Sequence, residues 1–100
     1  MKRHNLEIPR EQLAAFCRRH HVRELALFGS ALRGDFSVSS DVDLLVEFEP
    51  DAQVSFMTLA RMQRELSAIF SRPVDLVPKG GLKPAIRQDV LASAEVIYAA

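Results

Sequence analysis

The chain has 100 residues, 48% of them hydrophobic and 26% charged, with lysine plus arginine matched by aspartate plus glutamate at 13 each. That composition excludes disordered and fibrous classes, gives room for one domain with one modest core, and leaves no net field to hold a nucleic acid nonspecifically. The one cysteine, Cys17, allows no internal disulfide; with no apolar run in "MKRHNLEIPREQ" and no stretch long enough to span a membrane, the expected location is the cytoplasm.

The first element is a helix over about residues 9 to 21. Pro9 suits a first turn, and Leu13, Phe16, Cys17 and His20 recur at helical spacing. Arg18, Arg19, His20 and His21 fall at its end, where positive charge complements the dipole, and are expected to be solvated. "ELALF" is a short strand stopped by Gly29. "SDVDLLVEF" is a second strand that sorts by parity, with Val42, Leu44, Val46 and Phe48 on a core face and Asp41, Asp43, Leu45 and Glu47 on the other. This alternation predicts a sheet covered on one side.

A second helix follows, on apolar residues Phe56, Leu59, Ala60, Leu66 and Phe70, ending before Pro73. Met57, Met62 and Ile69 widen its stripe, and the methionines are expected to fill gaps in the core. "PVDLV" is a third strand, with Asp75 facing away from Val74 and Leu76. A third helix spans about Lys83 to Ser93 with Pro84 in its first turn, and the tail "EVIYAA" is either a last strand or an extended segment.

Two features carry chemistry. Asp41 and Asp43, two apart on a strand, project from one face with Cβ atoms within roughly 7 Å. Like charges that close repel unless a cation sits between them, and a hard divalent cation with oxygen ligands is the natural candidate. Asp75 can join them if its strand lies alongside, and three carboxylates can hold two magnesium ions, a pair suited to phosphoryl transfer. Gly29 and Ser30 follow a strand directly, where backbone can approach a phosphate, and Arg33 can reach a phosphate oxygen with its fork of donors. An EF-hand is excluded, because "DVDLLVEFEPDA" has Val46 where the turn glycine belongs. His4, His20 and His21 have no partners at zinc spacing.

The order of these features, Gly29-Ser30, ten residues, Asp41-x-Asp43 in a strand, a helix, then a strand with Asp75, resembles the minimal nucleotidyltransferases of the DNA polymerase beta superfamily. Arg33, Gly34, Asp35, Ser40 and the "DLLVEF" and "VDLV" runs are similar as well. The resemblance implies an α+β fold, a small mixed sheet flanked by helices, over residues 1 to 100 as one domain. It implies Asp41 and Asp43 as ligands of two Mg2+ ions, Asp75 as third ligand and general base, and Gly29, Ser30 and Arg33 around the triphosphate of ATP. It further implies transfer of AMP to a hydroxyl of a partner protein, with a HEPN-domain toxin as the expected partner in a hetero-oligomer. The competing expectation is an antitoxin that neutralises its partner by binding alone, through the Met57, Met62, Ile69 face or the tail.

Overall fold

Each helix is placed by a boundary that the local sequence supplies. The computed structural model describes residues 7–29 and 41–100. Helix α1 (Arg10–Arg19) starts after Pro9, whose carbonyl accepts from Leu13 N–H at 3.0 Å, and places Leu13, Phe16 and Cys17 inward. His21 takes a left-handed conformation (φ 57°) and turns the chain into strand β1 (Val22–Phe28). Strand β2 (Val42–Phe48) leads to helix α2 (Phe56–Phe70), which Ser55 caps by accepting from Thr58 N–H at 3.1 Å. Ser71, left-handed at φ 57°, closes α2, and Arg72 N–H returns to the Ser67 carbonyl at 3.1 Å. Strand β3 (Val74–Pro78), a short 3-10 turn (Lys79–Gly81), helix α3 (Pro84–Ser93) and strand β4 (Glu95–Ala99) complete the order.

The four strands form a mixed sheet in the order β3-β2-β1-β4. β2 and β3 run parallel, while β1 is antiparallel to both β2 and β4. The expected small mixed sheet with flanking helices is therefore what the chain adopts, and the tail resolves as an edge strand with Ile97 buried.

One face of this sheet carries the main core. Leu13, Phe16 and Cys17 of α1 and Met62, Leu66 and Phe70 of α2 pack against Leu25, Leu27, Val42, Leu44, Val46, Val74, Leu76 and Ile97. The alternation of β2 predicts an uncovered second face, and that expectation needs correction. Ala26, Leu45 and Leu82 form a second, smaller buried cluster, with Phe28, Val77, Val90 and Ala94 packed around it. Leu45 sits in the polar set of its strand by parity, but α3 and the segment before it fold back over it, so an apolar residue there finds a partner.

Two further corrections concern the helices. Phe56 and Met57 are 83% and 73% exposed, whereas Met62 is fully buried. Periodicity identifies which side of α2 is apolar but not where the helix begins to overlie the sheet, and its first turn lies short of it. At the end of α1, Arg18, Arg19 and His21 are exposed as expected, but His20 is half-buried. Its ring lies 4.6 Å from that of Phe16, and Nε2 is 3.2 Å from Glu65 Oε1, while Arg19 pairs with the same carboxylate.

Strand β3 lies at the sheet edge, yet its outward N–H groups are satisfied. Val74 N–H donates to Ser67 Oγ at 3.0 Å and Leu76 N–H to Gln63 Oε1 at 2.8 Å, both acceptors coming from α2. Among the described residues no helix is long and apolar enough to cross a membrane.

Candidate active site

The carboxylates begin where the cover on the second face ends. Along β2, Asp43 alternates with Leu44 and so shares the face of Leu45; along β3, Asp75 alternates with Leu76 and shares the face of Val77. The parallel register pairs Asp43 with Asp75 directly, as it pairs Leu45 with Val77 one step further on. Strands so paired lie about 4.8 Å apart, which puts the two carboxyl groups side by side on one face. The expected adjacency of the third strand is thus present for Asp43, which lies in register with Asp75.

Asp41 sits one residue before β2 rather than inside it, and is exposed. Its position is still defined, because Val42 N–H donates to the Pro73 carbonyl at 2.9 Å, tying the start of β2 to the start of β3. Asp43 is half-buried and Asp75 exposed.

Gly29 stands beside this group for a reason that can be measured. β1 pairs Phe28 with Asp43, so the residue after Phe28 turns across the Asp43 side chain. Gly29 has φ 75°, and a Cβ built on it would lie 3.0 Å from Asp43 Cγ and closer still to Oδ2. Any larger residue would be strained in conformation and would displace the carboxylate. Ser30 and Arg33, and with them Gly34, Asp35, Ser40 and His4, lie outside the described residues.

The donor set suits a hard cation, being carboxylate oxygen alone, with no thiol or imidazole beside it among the described residues. The carboxylates are aligned by strand register rather than closed around an ion. Among the described residues no three His, Cys, Asp or Glu side chains converge tightly enough to hold a metal as they stand. Cys17 takes no part. It is buried in the main core, and desolvation pushes its thiol up to about 12 against a small opposing pull from Arg18. A separate groove lined by Gln12, Ala15, Arg19, Glu65 and Ile69 runs between α1 and α2, on the opposite side of the sheet from the carboxylates.

A profile of the nucleotidyltransferase domain family matches residues 9–97. The chain belongs to the nucleotidyltransferase family. A protein adenylyltransferase, MntA, of Thermococcus cleftensis is 41% identical over 80 residues, covering 80% of this chain and 77% of that protein. A solved minimal nucleotidyltransferase superposes with a TM-score of 0.69 at 36% identity, covering 85% of each chain. A chain of the complex between the tri-AMPylated Shewanella oneidensis HEPN toxin and its MNT antitoxin superposes with a TM-score of 0.66, covering 91% of this chain and 70% of that one. Its identity of 17% makes this a likeness of fold.

The protein is thus a nucleotidyltransferase of the small α+β type that its motif order resembles. Gln63 and Ser67, which reach β3 beside Asp75, are not among the residues that the sequence singles out. Their spacing of four on α2 is the available signal, but polar residues on a helix flank are ordinary until the strand they reach is known.

Proposed function

We propose that this nucleotidyltransferase moves AMP from ATP onto a hydroxyl of a partner protein, releasing pyrophosphate, and that the partner is a HEPN-domain toxin neutralised by the modification. The observation that carries this reading is the register of Asp43 against Asp75, with the Gly29 backbone seated on Asp43. It is supported by the similarity to a protein adenylyltransferase and by the likeness of fold to a chain from a complex whose toxin is AMPylated.

In this reading Asp41, Asp43 and Asp75 would hold two Mg2+ ions, which when bound would supply positive charge to offset that of the triphosphate. The glycine turn lets the triphosphate approach the backbone, and the motif resemblance assigns Ser30 and Arg33 to binding it. Asp75 takes the proton of the acceptor hydroxyl. The acceptor oxygen then bonds to the α-phosphorus, the bond from that phosphorus to the bridging oxygen breaks, and pyrophosphate leaves with the electron pair. Placement and electrostatics account for most of the rate in such a transfer. The protein works in the cytoplasm, where ATP is at hand, as part of a hetero-oligomer with its target.

Intact-mass spectrometry of the HEPN toxin after incubation with ATP, Mg2+ and this chain tests the proposal. The expected result is a gain of one or more adenylyl groups with wild type and none with the Asp41→Asn, Asp43→Asn double variant. A stable complex formed equally by both proteins, with no mass gain, would replace modification by neutralisation through binding.

A further inference from the structure

Asp75 is carried by a strand that has a neighbour on one side only. β3 stands at the edge of the sheet and is five residues long, so nothing in the sheet fixes its outer side. An edge strand held from one side can tilt or shift away from its neighbour, and for Asp75 a shift of about 1 Å matters, since metal and substrate positions tolerate little more. The outer side is fixed by α2 instead. Ser67 Oγ accepts from Val74 N–H at 3.0 Å, Gln63 Oε1 accepts from Leu76 N–H at 2.8 Å, and these are the amides immediately before and after Asp75. The two acceptors are one helical turn apart on α2 and are themselves linked, because Ser67 Oγ donates to the Gln63 carbonyl at 2.9 Å. Arg72 N–H bonds the Ser67 carbonyl at 3.1 Å, so the same residue also anchors the turn that leads into β3.

We infer that Gln63 and Ser67 are positioning residues for Asp75: they clamp the strand on both sides of it and hold its carboxylate level with Asp43. This rests on the assignment of Asp75 to the metal and acceptor site. It goes beyond simple satisfaction of an exposed edge, which water or a charged residue could also provide. A clamp that reaches past the carboxylate to both flanking amides restricts the strand's tilt as well as covering it.

The test is Mn2+ affinity of the full chain, measured by electron paramagnetic resonance titration well below the unfolding temperature, alongside amide hydrogen exchange at Leu76. Ser67→Ala and Gln63→Met remove the acceptors; Ser67→Thr keeps a hydroxyl. Supporting groups behind metal ligands change affinity by about ten-fold or more when removed. The expected result is therefore a Mn2+ Kd raised about ten-fold in the double Gln63→Met, Ser67→Ala variant and near wild type in Ser67→Thr. An unchanged Kd with faster Leu76 exchange would reduce the pair to edge satisfaction and overturn the inference. If the double variant does not fold, Ser67→Ala against Ser67→Thr decides by the same reading. A wild type that binds Mn2+ with this dependence but adds no adenylyl group to the HEPN toxin would leave the clamp standing and remove the proposed function. A wild type that binds no Mn2+ overturns both.

Discussion

The two faces of the sheet treat the same strands in opposite ways. On one, α1 and α2 close over β1, β2 and β3, and the buried set is apolar from Leu13 to Ile97. On the other, cover is confined to Ala26, Leu45, Leu82 and the residues around them; on β2 and β3 it stops one step short of Asp43 and Asp75, while Phe28 of β1 stands level with them. Packing is most extensive on the first face, and the proposed site lies where packing on the second runs out. The carboxylates there do not bear the desolvation that full burial would impose, Asp43 being half-buried and Asp41 and Asp75 exposed.

The largest effect that could break this comparison is a cavity in the main core. Leu66→Ala, at a fully buried residue of α2, is expected to cost about 3–5 kcal/mol, whereas Leu82→Ala in the smaller cluster should cost about 2 kcal/mol or less, read from urea midpoints. Equal costs would mean that the second face contributes to stability as much as the first.

Next in size is the effect of charge at the open end. Asp43→Asn keeps shape and loses the carboxylate, and AMP transfer is expected to fall by at least about 10²-fold with the unfolding free energy within about 1 kcal/mol of wild type. Transfer at the wild-type rate would remove Asp43 from the site.

How much of this is legible in the sequence follows from which interactions are local. The parity of β2 separates Val42, Leu44 and Val46 from Asp43, because alternation is a property of one strand, and the spacing from Gly29 to Asp41 and Asp43 is countable along the chain. The burial of Leu45 is not legible, since it depends on where α3 returns much later in the chain, nor is the exposure of Phe56 and Met57, which depends on where α2 meets the sheet. Chemistry can require that Asp75 meet Asp43, but local pattern cannot fix the alignment, because a parallel register is set by a whole crossover. The acceptors from Gln63 and Ser67 become visible only once that register is known.

Gly29→Ala sharpens the boundary between the faces with a smaller effect. Alanine at φ 75° costs about 1 kcal/mol in backbone strain, and its Cβ would meet the Asp43 carboxyl, so the side chain must turn away. The expected outcome is a modest loss of thermal stability together with a larger loss of AMP transfer. Loss of stability alone, with transfer unchanged, would show that Asp43 has a second productive position.

The last effect is absent at neutral pH and comes from Cys17, an ionisable group held inside the dry face. Its burial raises the folded thiol to about 12 from an ordinary value of 9.0, so the folded state keeps a proton that the unfolded chain gives up. Below pH 9 both states are protonated and Cys17 adds no pH dependence. Between pH 9 and about 12 the unfolded state binds fewer protons, so stability must fall as pH rises, with a slope from this group approaching about 1.4 kcal/mol per pH unit. The difference in unfolding free energy between wild type and Cys17→Ala, followed from pH 7 to 10.5, isolates it from other groups that titrate there. It should be flat to pH 9 and then shift against wild type. A flat difference throughout would mean that water reaches the thiol, and with it a face of the sheet that the packing of Leu13, Phe16 and Met62 otherwise keeps dry.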